Sequence, residues 1–127
     1  MTRDTILVVD DNLDIRAFAK RLLEIAGWTV LTAADGEEGL RYFEEHRSSI
    51  VLLLTDVMMP NINGLELADR VLEMDSQLPV LFMSGNAWGA YRGLECVAKP
   101  FRSAELVARV SHMLKAKARA ETAVSAA

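Results

Sequence analysis

Asp10, Asp11, Asp56, Ser84 and Lys99 are residue types that could do chemistry together: three acids, a hydroxyl and an amine. Each has an ordinary explanation taken singly. Asp11 or Asn12 suits the N-cap of a helix. Asp56 suits a turn. Ser84 suits a loop hydroxyl bonded to its own backbone, and Lys99 a solvated surface charge. Capping does not explain why all five fall at the ends of apolar runs. Three clustered carboxylates repel and raise one another's pKa values unless a cation offsets them. A hard divalent ion such as Mg²⁺ takes oxygen ligands, keeps several waters and pairs with phosphate. An ammonium holds a phosphoryl oxygen as a point charge. A carboxylate is also a competent nucleophile toward phosphorus, giving an aspartyl-phosphate.

The elements that must position these groups are legible in the apolar pattern. Thr5-Ile6-Leu7-Val8-Val9 is β-branched and continuously apolar, as expected of a strand buried on both faces. Further strands are predicted at Trp28–Thr32, Ile50–Thr55, Pro79–Met83 and Leu94–Ala98. Between them, Ile15, Phe18, Ala19, Leu22, Leu23 and Ala26 are spaced for one helical face. Asp35 to Glu38 fits a capping box, with Leu40 and Phe43 turned inward after it. Asn63-Gly64 opens a helix carrying Leu65, Ala68, Val71 and Leu72, and a long helix starts at Ser103. Strands alternating with helices imply a parallel sheet covered on both faces. The expected fold is α/β: a doubly wound, five-stranded parallel sheet of flavodoxin-like order 2-1-3-4-5. In such sheets ligands bind outside the carboxyl ends of the strands. Strand one ends in Asp10-Asp11, strand three in Asp56, strand four in Ser84 and strand five in Lys99, so the five groups converge there.

The totals narrow the function classes. The 127 residues suit one domain with a real core, and half of them, 51%, are apolar, which argues against disorder. A net charge of −4 argues against nucleic-acid binding by bulk electrostatics. No apolar run approaches the roughly 18 residues of a membrane helix, and the N-terminus has no signal-peptide shape. Cys96, the single cysteine, fits a reducing, cytoplasmic setting. The Ala-rich stretch from Lys115 reads as a frayed helix end.

Four motifs carry a resemblance: "ILVVDDN" at 6–12, "LLLTDVMMPNINGLEL" at 52–67, "PVLFMSG" at 79–85 and "AKPF" at 98–101. In this order, and over about residues 4 to 116, the chain resembles the response-regulator receiver domain of two-component signalling. That resemblance implies that Asp56 is the phospho-acceptor. It implies that Asp10 and Asp11 bind Mg²⁺ together with Asp56 and the backbone carbonyl of Met58. Ser84 matches the switch hydroxyl, and Lys99 the lysine whose peptide with Pro100 is typically cis in the family. A sensor histidine kinase or histidine phosphotransfer protein would donate the phosphoryl group, and phosphorylation would shift an equilibrium between two conformers. The implied protein is not an enzyme in the turnover sense: it catalyses its own phosphorylation and dephosphorylation. The expected organisation is a receiver domain over 1–119 and a short tail over 120–127, with no effector domain.

Two features depart from the family pattern. Cys96 stands where receivers usually carry an aromatic residue or histidine, and reads as a small buried hydrophobe. Only 15 positions separate Ser84 from Lys99, shorter than usual by about two helical turns. The fourth helix is therefore expected to be shortened or missing, with Trp88 and Tyr91 in the segment that remains, "GNAWGAYRGLE". Both departures fall on the usual output face, which implies an altered output surface and an unknown downstream protein. The "LFMSGN" form of strand four resembles receivers attached to hybrid kinases. A haloacid-dehalogenase-type phosphatase needs a second acid two positions after Asp56, where this chain has Met58. The remaining alternative is an interaction module with a receiver fold that works without phosphorylation. No helix-turn-helix follows to suggest DNA binding.

Overall fold

The computed structural model describes residues 4–85 and 95–126. Its elements run β1 (Thr5–Val9), α1 (Leu13–Ile25), β2 (Thr29–Ala33), α2 (Gly36–His46), β3 (Ile50–Asp56), α3 (Gly64–Met74), β4 (Val80–Ser84), β5 (Cys96–Ala98) and α4 (Ser103–Ala126). The strands form one parallel sheet in the order β2-β1-β3-β4-β5, the order expected from the sequence.

Alternate residues of a strand point to opposite faces, and here both faces are covered. Ile6 and Val8 of β1, with Leu52 and Leu54 of β3, turn toward α1 and α4, where they meet Ala19, Leu23, Leu106 and Val110. Leu7, Val9 and Leu53 turn the other way, onto Phe43 of α2 and Leu67 and Val71 of α3. All five residues of β1 are buried. That is why β1 and β3 read as unbroken apolar runs rather than alternating ones.

β1 has its expected bounds, the other strands begin or end one to two residues from theirs, and β5 is the shortest, at three residues. The helix at the C-terminus differs more. It is continuous through Ala126 and so crosses the 119/120 boundary drawn from the sequence. Ala, Lys, Arg and Glu are strong helix formers, and a run of them carries a helix past the end of its buried face. Leu106 and Val110 are fully buried, whereas Ala118 through Thr122 are exposed. The expected loss of the fourth helix, with Trp88 and Tyr91, lies outside the described residues.

Candidate functional site

Strand register brings the polar groups together. Val9 of β1 is level with Thr55 of β3, so the residues that follow, Asp10 and Asp56, lie side by side. Asp56 is level with Met83 of β4. Ser84 is level with Ala98 of β5, and the backbone N–H of Lys99 donates to the carbonyl of Ser84 at 2.8 Å. β1, β3, β4 and β5 thus deliver their functional residues to a single rim.

At the centre is an ion triad. Lys99 Nζ lies 2.8 Å from Asp10 Oδ2 and 3.3 Å from Asp56 Oδ1. Asp10 is fully buried, Asp56 is 7% exposed and Ser84 2%. Burial raises the carboxyl pKa of Asp56 above its usual value, and the Asp10 charge raises it further. Lys99 and a hydrogen bond from the Met58 backbone act in the opposite direction. Lys99 is thus shared between two buried acids.

Asp10 is held at several points. Its backbone N–H donates to the carbonyl of Ala33 at 3.2 Å, and its Oδ1 accepts the N–H of Asn12 at 2.9 Å. Its Oδ2 has charge-pair distance to Lys99 but lacks hydrogen-bond geometry to any donor among the described residues. A buried carboxylate oxygen in that state has capacity for another cation. Asp11 stands beside it, exposed, and one carboxylate oxygen from each of Asp10, Asp11 and Asp56 lies within 4.8 Å of the others. Three hard oxygen donors with one open solvent side suit a Mg²⁺-type ion that retains water.

The N-cap of α1 is Asn12, whose side chain accepts from the N–H groups of Asp14 and Ile15 at 2.9 and 3.1 Å. Asp11 is thus not engaged in capping. Asn12→Ala is expected to cost about 1 kcal/mol of stability in urea unfolding, while Asp11→Ala leaves the helix cap intact. An equal loss in both would contradict this assignment.

The loop after β3 is tied closely to the site. The Gly64 N–H donates to the Val57 carbonyl at 2.9 Å, and Val57 N–H to the Met83 carbonyl at 3.2 Å. Met58 itself is 64% exposed. The Lys99–Pro100 peptide is cis. Cys96 is half-buried, its thiol pKa pushed up chiefly by burial, in line with an unreactive apolar role.

Two contributors escaped the sequence reading. Arg16 Nη1 donates to the Asp10 carbonyl at 2.7 Å, and the buried Thr55 hydroxyl donates to the Asp56 carbonyl at 3.0 Å. Both bonds go to backbone acceptors, which no residue-type motif reveals.

Comparison with known proteins shows the family. The family model of the response regulator receiver domain matches residues 6–111. The transcriptional regulatory protein PrrA of Mycobacterium tuberculosis is 37% identical over 132 residues, covering 98% of this chain and 56% of that protein. The chain thus spans about half the length of that curated relative. Among solved structures, a response regulator receiver domain protein from Clostridium thermocellum has a TM-score of 0.82 at 30% identity, covering 90% of this chain and 96% of that one. The receiver domain of the hybrid histidine kinase CckA has a TM-score of 0.76 at 39% identity, covering 87% and 98%. With strand order and a family match over most of its length in agreement, the chain belongs to the response regulator receiver domains of two-component systems.

Proposed function

We propose that this receiver accepts a phosphoryl group on Asp56 in a Mg²⁺-dependent reaction. The observation that carries the reading is the Lys99 ammonium shared between buried Asp10 and Asp56, with Asp11 completing an oxygen cluster. One Asp56 carboxylate oxygen forms the new bond to phosphorus while the donor's P–N or P–O bond breaks. The leaving group keeps that electron pair and takes up a proton. Lys99 is positioned to hold a phosphoryl oxygen in the transition state, and the Ser84 hydroxyl to hydrogen-bond the product. Asp10, Asp11, Asp56 and the Met58 carbonyl would hold Mg²⁺. When bound, the ion supplies neutralisation of charge on the transferring group.

The donor class is a sensor histidine kinase or a histidine phosphotransfer protein, and the output is a protein–protein contact. A cytoplasmic setting suits such donors and the half-buried thiol; no helix of the described residues is long and apolar enough to cross a membrane. The acids and lysine disfavour a phosphorylation-independent interaction module, which would not need two buried acids gathered around an ammonium.

Borohydride reduction after incubation with Mg²⁺ and acetyl phosphate, followed by peptide mapping, tests the assignment. Asp56, and no other acid, is expected to convert to homoserine. Conversion at Asp10 or Asp11 instead, or at no position, would contradict it.

A further inference from the structure

We propose that Arg16 is a positioning residue for the metal-binding acid pair, an inference that rests on the receiver reading above. The Asp10–Asp11 peptide is the hinge on which both acids stand. Its N-terminal side is fixed by β1 pairing and by the Asp10 N–H bond to Ala33. The carbonyl of the peptide itself is fixed by Arg16 Nη1 at 2.7 Å. Arg16 can act from α1 because the Asn12 cap sets the start of that helix. The Arg16 N–H closes the first turn onto the Asn12 carbonyl at 3.1 Å, while the guanidinium reaches back past the cap.

Two consequences follow for the acids. With Asp10 Oδ1 occupied by the Asn12 N–H, a rotation of the 10–11 peptide would swing Oδ2 away from Lys99 and carry exposed Asp11 out of the cluster. Arg16 opposes that rotation. Groups that orient metal ligands are commonly worth tenfold or more in metal affinity.

The test is Mg²⁺ binding to the full chain by calorimetry, in wild type, Arg16→Met and Arg16→Lys. Arg16→Met is expected to weaken Mg²⁺ binding about tenfold, with the metal-free unfolding midpoint close to wild type. The Asp10 carbonyl carbon should move upfield in its NMR spectrum as the hydrogen bond is lost. Arg16→Lys, which retains charge and a donor, is expected to restore much of the affinity. Unchanged affinity in Arg16→Met overturns the proposal. So does an equal loss in both variants, which would mark a packing defect. Should Arg16→Met fail to fold, Arg16→Gln carries the same reading: weakened Mg²⁺ binding supports the role and unchanged binding overturns it. Absence of Mg²⁺ binding by the wild type would overturn the receiver reading itself, and the proposal with it.

Discussion

Gly64→Ala is expected to destabilise the protein by about 3 kcal/mol or more and to slow phosphoryl uptake sharply. The cause is space, not backbone conformation. A Cβ at Gly64 would stand 2.0 Å from the Asp56 carbonyl oxygen, 2.9 Å from the Asp56 carbonyl carbon and 3.0 Å from Val57 Cα. All three are backbone atoms at the end of the central strand, so no side-chain rotation relieves the clash. Either the start of α3 or the end of β3 must move, and the latter carries the acceptor. Overpacking a well-filled site usually costs about 1–3 kcal/mol, and a collision with backbone falls at or above the top of that range. Gly85→Ala is the control, because a Cβ there meets nothing within 4 Å. Urea midpoints for the two variants check the claim. A Gly64→Ala protein as stable as Gly85→Ala would show that β3 and α3 are not locked together here.

Asp56→Asn should abolish the phosphate adduct completely while making the metal-free protein more stable at neutral pH. The first effect follows because an amide is not a nucleophile toward phosphorus under these conditions. The second follows from the sign of the pKa shift. Burial, reinforced by Asp10, raises the folded-state pKa of Asp56 above its ordinary value of 3.8. The stability associated with the protonated group is therefore fully present below that value and is lost as pH rises through the raised folded value. Above that window the ionised, buried acid is a burden that asparagine does not carry. The stability advantage of Asp56→Asn is expected to grow as pH rises above the usual carboxylate range, and to shrink when Mg²⁺ binds the wild type. Thermal unfolding across pH, with and without Mg²⁺, measures it. A variant less stable than wild type at neutral pH without metal would mean that the Lys99 contact outweighs desolvation.

This stored electrostatic tension links fold to function. The sheet holds Asp10 and Asp56 beside each other in a buried rim, with one ammonium, Lys99, between them. That arrangement favours a divalent cation, and that ion prepares the site for a phosphoryl group that is itself anionic.

Much of this was legible in the sequence for a physical reason. Residues buried on both faces of a parallel sheet leave unbroken apolar runs, so β1 and β3 were visible at once, and a polar residue closing such a run marks the rim. Asp10, Asp11, Asp56, Ser84 and Lys99 were found in that way, and register delivers Asp10 beside Asp56 as the strand order requires. What stayed hidden depends on backbone. Arg16 binds a carbonyl, and any residue can supply a carbonyl, so spacing gives no sign of the contact. The closeness of Gly64 to Asp56 is a tertiary approach, invisible beside the simpler role of a residue opening a helix. The fraying expected from Lys115 rests on apolar periodicity, which fades after Leu114, whereas the propensity of Ala, Lys and Glu sustains the helix to Ala126. The sequence offers Asp11 or Asn12 for the cap, and the side-chain bonds to Asp14 and Ile15 assign it to Asn12.

The most direct test of the central claim is the intact mass of the wild-type chain after incubation with acetyl phosphate, with Mg²⁺ present and with Mg²⁺ removed by a chelator. A buried acid pair that binds a second cation predicts a single phosphate adduct with Mg²⁺ and none with the chelator. An adduct that forms equally well without metal, or no adduct under either condition, would contradict a metal-supported phospho-acceptor at Asp56.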